Sequence, residues 1–226
     1  MSALNKARKG NPVDRQDEDR ATRQAFSPMD LTETFAIPSE DALPYEVLHP
    51  LLQGFVDEHE RVVEELERFE AVLTGIKEHG VGEEASRELA RFFRFFDEHV
   101  VPHNRREEKQ LFDELRERLL AEGAHSRMEP ATTSVDVLES DHTELLQIAA
   151  VSFNLFGLGG RLPEPASRAI TFDAAVEQGL ALVEHLRLHI YREDNVVFPL
   201  VQKHFDESEL DALHAAELQH SGTPSA

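Results

Sequence analysis

The string Glu98-His99-x3-His103-x3-Glu107-Glu108 returns later in the chain as Glu184-His185-x3-His189-x3-Glu193-Asp194. The two copies are offset by 86 residues (103 to 189, 107 to 193), and a shorter pair, Glu58-His59 and Asp141-His142, repeats at 83. Imidazole and carboxylate together are donors for divalent transition ions, with iron, manganese and zinc all suited. In a helix, residues four apart lie about 40° apart around the axis and roughly 6 Å along it, so a His-x3-Glu pair serves one ion or two neighbouring ions. The candidate ligands are therefore His59, His103, Glu107, His142, His189 and Glu193. Six donors arranged as two similar halves suit a dinuclear centre in which each ion takes two imidazoles and both carboxylates bridge.

These residues need helices to carry them, and the apolar periodicity supplies four. Leu52, Phe55, His59, Val62, Leu66, Phe69, Leu73 and Ile76 recur at steps of three and four, predicting a first helix from about residue 45 that closes at Gly80 and Gly82. Leu89, Phe92, Phe96, His99, His103, Glu107, Leu111 and Leu115 predict a second over about 83–121, which Pro102 should kink or split. Val135, Leu138, His142, Leu145, Ala149 and Phe153 mark a third, ended by the glycines at 157, 159 and 160. Leu182, His185, His189, Glu193, Val197 and Leu200 mark a fourth over about 166–205, and a short fifth capped by Ser208 follows. Long helices with short connections predict an all-α fold, an antiparallel four-helix bundle. The candidate ligands fall on the apolar stripes, where an unpaired carboxylate costs several kcal/mol to bury. Cations within the bundle resolve that cost.

Composition bounds the rest. The 226 residues are 40% hydrophobic, enough for one core, and contain no cysteine, which excludes disulfides, thiolate zinc sites and iron–sulfur clusters. A formal net charge of −21 argues against a nucleic-acid partner. There is no apolar run of membrane-spanning length and no secretory signal after Lys6, Arg8 and Lys9, so no membrane association and a cytoplasmic location are expected. Residues 1–44, interrupted by Pro12, Pro28, Pro38 and Pro44, are read as an extended polar N-terminal tail, 45–205 as the bundle and 206–226 as a short C-terminal helix and tail. His49, His79, His125, His204, His214 and His220 lie off the repeat and are expected to be exposed.

The order His, His-x3-Glu, His, His-x3-Glu, with the trailing Leu111-Phe112 and Val197-Phe198-Pro199, resembles the hemerythrin-like (HHE cation-binding) family over about residues 45–205. The resemblance implies two iron ions, one held by His59 and His103 and one by His142 and His189, bridged by Glu107, Glu193 and an oxo or hydroxo group. Oxygen-carrying members place a further His where this chain has Leu146, so reversible oxygen carriage is not implied. Instead His99 and His185 stand one turn before the ligands of helices two and four. They are candidate catalytic residues as proton shuttles, with further ligation, hydrogen bonding to the ligands or a passive place at the core's edge as alternatives. A non-haem diiron protein that binds or reacts with a small oxidant (oxygen, peroxide or nitric oxide) is the expected function. An iron- or redox-sensing module, or an iron-centre repair or storage protein, is the alternative.

Overall fold

A computed structural model describes residues 42–127 and 129–221; nearly all of the expected 1–44 tail, and the side chain of His220, lie outside the described residues. Among these residues the fold is all-α, with five helices and no strands. Helix α1 is Pro50–His79. Helix α2 runs over 83–121 as Glu83–Phe95, a π-helical turn Phe96–Val100, Val101–Glu107, a second π turn Glu108–Phe112, and Asp113–Ala121. Helix α3 is Ser134–Gly159. Helix α4 covers 165–204 as Pro165–Arg192, a π turn Glu193–Val197 and Phe198–His204. Helix α5 is Glu207–Ser221.

Local chemistry sets the ends. His49, expected to be exposed, is 9% exposed: its Nδ1 caps α1, accepting from the Leu51 N–H at 3.2 Å, and its ring packs against His214. Gly80, at φ 77, takes the left-handed turn that stops α1, its N–H donating to Ile76. The Glu164 carboxylate accepts from the N–H groups of Ala166 and Ser167 to open α4. Helix α5 is capped by Asp206 rather than Ser208: Asp206 Oδ1 accepts from the Glu209 N–H at 2.9 Å, and Glu209 accepts in return from the Asp206 N–H.

The π turns explain where the simple periodicity fails. Pro102 neither breaks nor splits α2, because the widened turn Phe96–Val100 lies beneath its ring where an α turn would crowd the Glu98 carbonyl. Pro199 sits in the same relation to the π turn of α4. The extra residue in the turn also moves the inward position from His99 to Val100, leaving His99 exposed. On α3 the inward position near the end belongs to Ser152, whose hydroxyl donates to the Ala175 carbonyl at 3.1 Å, and Phe153 is 56% exposed. The strict four-residue step from Ala149 overshoots there because the helix period is 3.6.

The apolar core divides in two. One cluster joins Leu66, Phe69, Leu73, Phe92, Val100, Leu145 and Ile190, and the other joins Phe55, Leu111, Phe112, Leu138, Val197 and Phe198. On each of the four helices a short, mostly polar segment separates the two clusters. No helix among the described residues is long and apolar enough to cross a membrane.

Candidate metal centre

The polar layer between the clusters consists of His59 from α1, His103 and Glu107 from α2, His142 from α3, and His189 and Glu193 from α4, each at most 3% exposed. The structure thus brings together all six predicted residues. They form two groups, His59–His103–Glu107–Glu193 and Glu107–His142–His189–Glu193, whose ligand atoms within each group lie within 4.8 Å of one another. Both carboxylates belong to both groups. His59 Nε2 faces His103 Nε2 at 2.9 Å, and His142 Nε2 faces His189 Nε2 at 3.1 Å. Glu193 approaches His59 Nε2 at 3.2 Å and His189 Nε2 at 3.1 Å; Glu107 lies 3.3 Å from His103 Nε2 and 3.7 Å from that of His142.

The outward ring nitrogens show why the inward ones converge. His59 Nδ1 meets Asp194 at 2.8 Å, His103 Nδ1 meets Glu58 at 2.8 Å, and His142 Nδ1 meets Glu108 at 2.7 Å. His189 Nδ1 lies 3.8 Å from Asp141, an ion-pair rather than a hydrogen-bond distance. An ionised carboxylate only accepts, so in His59, His103 and His142 the Nδ1 carries the proton and donates, and the neutral ring turns a bare Nε2 lone pair inward. That is the tautomer a metal ligand needs, held by the carboxylate partner such ligands usually have. Both oxygens of Glu107 and both of Glu193 are buried without a hydrogen-bond partner. Facing lone pairs and orphaned buried carboxylates repel one another and fit a cation between them. The donor set of neutral nitrogen and carboxylate oxygen suits a first-row divalent metal.

Without a cation the same groups must hold protons. Burial pushes the His59 imidazole down, but the hydrogen bond to Asp194 and the proximity of Glu193 outweigh it and raise its pKa to about 10. For His189, burial is likewise overcome, by the Glu193 charge and then Asp141, and the pKa rises to about 9. Burial disfavours the charged form of Glu193, yet the His189 charge and the contacts from His142 and His59 hold its carboxyl well below the usual range. A metal displaces these protons. Loading the metal-free protein near neutral pH is therefore expected to release about two protons or more per chain, measurable in weak buffer with an indicator dye. Uptake with no proton release would contradict this.

His99 and His185 lie outside both groups. His99 is exposed, its ring 4.7 Å from that of Phe95, on a groove of about 880 Å³ whose lining includes Glu58, Pro102, His103 and Arg106. His185 is partly buried, its Nδ1 3.9 Å from Glu144. At position 146 the Leu side chain is 46% exposed, and Leu145 takes the inward place. Of the remaining histidines, His79 and His125 are exposed as expected, whereas the His204 side chain is 6% exposed against Glu122 and His214 is half-buried edge-on to His49. The first contact joins the ends of α4 and α2 and the second joins α5 to the start of α1, and contacts between segments leave no trace in the periodicity of either. Arg106 and Arg192, which pair with Glu58 and Asp141, carry one signal in the sequence: they stand 86 residues apart, directly before Glu107 and Glu193.

A helical bundle with a buried His/carboxylate layer able to hold a metal defines a cation-binding module. Residues 51–201 match the hemerythrin HHE cation-binding domain, and the chain belongs to that family. No curated protein and no solved structure matches the chain.

Proposed function

We propose that the chain is a non-haem diiron protein whose centre binds or reacts with a small oxidant such as oxygen, peroxide or nitric oxide. His59 and His103 hold one iron, His142 and His189 the other, and Glu107 and Glu193 are shared between them. The observation that carries this reading is the membership of both buried carboxylates in both four-residue groups. A single ion would leave one pair of facing imidazoles uncompensated. Iron supplies the redox and Lewis-acid chemistry towards the oxidant when bound. The chain's own part is to hold it. Asp194, Glu58 and Glu108 keep three of the Nδ1 protons in place, the Asp141 charge faces the fourth ring, and the two apolar clusters exclude water from either end of the layer. The groove beside His103 provides an approach for a small molecule, and His99 on that groove is the better placed of the two proposed proton carriers.

The test is metal content with spectroscopy. Iron-loaded protein is expected to hold two ions per chain and to change its near-ultraviolet absorption when nitric oxide or peroxide is added. One zinc atom per chain, or a spectrum indifferent to all three oxidants, would overturn the proposal. If oxygen is released from added peroxide, His99→Ala is expected to slow it about tenfold or more. An unchanged rate would remove His99 from the chemistry.

A further inference from the structure

Beyond the layer of four carboxylates lies a further layer that is not symmetric. Glu58, which accepts from His103 Nδ1, also accepts from the Arg106 guanidinium; Asp141, which faces His189 Nδ1, accepts from Arg192 at 2.6 Å. The two units, His103–Glu58–Arg106 and His189–Asp141–Arg192, are copies under the same offsets as the ligands. What sets this pair apart is the arginine rather than burial: the Glu58 side chain is 33% exposed, close to Asp194 at 29% and Glu108 at 41%, but among the described residues no arginine pairs with Asp194 or Glu108. The copies then part company. The second amino group of Arg106 donates to Glu217 on α5, and its guanidinium lies 5.3 Å from the centre of the Phe55 ring. That same ring packs nearly perpendicular to His103, with centroids 5.4 Å apart. The Arg192 ion pair, among the described residues, is with Asp141 inside the bundle.

Helix α5 is therefore connected to one half of the centre by an unbroken line: Glu217, Arg106, Glu58, His103. It is anchored independently elsewhere, by Arg118 to Glu209 at 2.7 Å, by His49 to Asp211 at 3.3 Å, and by the buried Leu210. Its residues Leu213, Ala216 and Glu217 also form one wall of the groove that reaches His103.

We propose that Arg106 is a positioning residue through which α5 sets how firmly the His59/His103 position holds its ion, making two positions with matching donors inequivalent. The physical reason is that a ligand's basicity and orientation follow from what its carboxylate partner is bound to. Glu217 fixes Arg106 and so keeps Glu58 aligned on His103. Without it, Arg106 keeps Glu58 and the Phe55 ring but loses its tie to α5, and the brace on the His103 ring loosens. The arginine on the His189 side, Arg192, is paired with Asp141 on α3 instead. The inference rests on the diiron reading and refines it.

The test uses the full-length, iron-loaded chain and an excess of a strong chelator, following the loss of absorbance. Wild type is expected to lose its two ions in two phases. Glu217→Gln is expected to speed one phase by about 3- to 10-fold, below the 10- to 100-fold typical of a ligand's direct partner, and to leave the other alone. Arg192→Gln is expected to speed the other phase. Glu209→Gln, which loosens α5 at Arg118 away from Arg106, is expected to change neither. Equal acceleration of both phases by Glu217→Gln, no acceleration, or the same acceleration from Glu209→Gln would each overturn the proposal. A chain that binds fewer than two ions fails the diiron reading itself; two ions released independently of Glu217 fail only this one.

Discussion

Glu107→Gln is expected to strip both metal positions at once, whereas His59→Ala is expected to strip one. The difference follows from membership: Glu107 and Glu193 are common to both four-residue groups, and each histidine belongs to one. An amide of the same shape keeps one oxygen but loses the charge that neutralises the cations, and its NH2 group presents protons to the site. Losing a direct ligand should cost more than losing its partner, so about a 100-fold or greater fall in affinity is expected at each position. Glu193→Gln should behave alike, since His59 Nε2 and His189 Nε2 both lie within 3.2 Å of it. Metal analysis of the purified variants reads the result directly. A Glu107→Gln protein that keeps one ion at wild-type affinity would show that the carboxylates are not shared.

Removing the metal should lower Tm substantially, and more so as pH rises. Ligands that bind only the folded chain stabilise it by about 4 kcal/mol at a thousand times Kd, which for a domain of this size corresponds to a fall of roughly 8–16 °C on removal. The pH dependence comes from opposite protonation demands. In the metal-free protein the raised pKa values of His59 (about 10) and His189 (about 9) mean that the folded state holds protons the unfolded state releases. Their contribution is fully present below the unfolded value near 6.5 and is lost as pH climbs through about 9 to 10. The metal-bound protein needs the same rings neutral, so its binding strengthens over that range. The Tm gap between loaded and stripped protein is thus expected to widen from pH 6 to pH 9. Calorimetry of the two forms across that range checks it, and a constant or shrinking gap would contradict the assignment of His59 and His189 as donors to the cation.

Much of the site could be read before the fold was seen because helical geometry maps spacing onto direction. A His and a Glu four apart must share a side, and the copy 86 residues later made coincidence a poor explanation. The same spacing points His99 and Phe153 inward, and both are exposed. For Phe153 a four-residue step overshoots the 3.6-residue period; for His99 a π turn adds a residue, marked locally only by Pro102 beyond it, and one added residue rotates everything beyond by about 100°. His49 and His204 were misjudged for another reason: a residue at a helix end is exposed or covered according to what docks there.

The helices, the six inward His and Glu residues and the twofold plan of the chain were determined by the sequence alone, because each depends on spacing within a segment or on its repetition along the chain. Only the tertiary structure decided which carboxylate serves which histidine. Glu58 stands beside His59 in the chain yet binds His103, and Asp194 stands beside Glu193 yet binds His59. Neighbours in a helix point about 100° apart, so an outward residue finds its partner on the adjacent helix. The sharing of Glu107 and Glu193, and the reach of α5 to Arg106, are likewise contacts between segments far apart in sequence, set by packing that no single periodicity encodes.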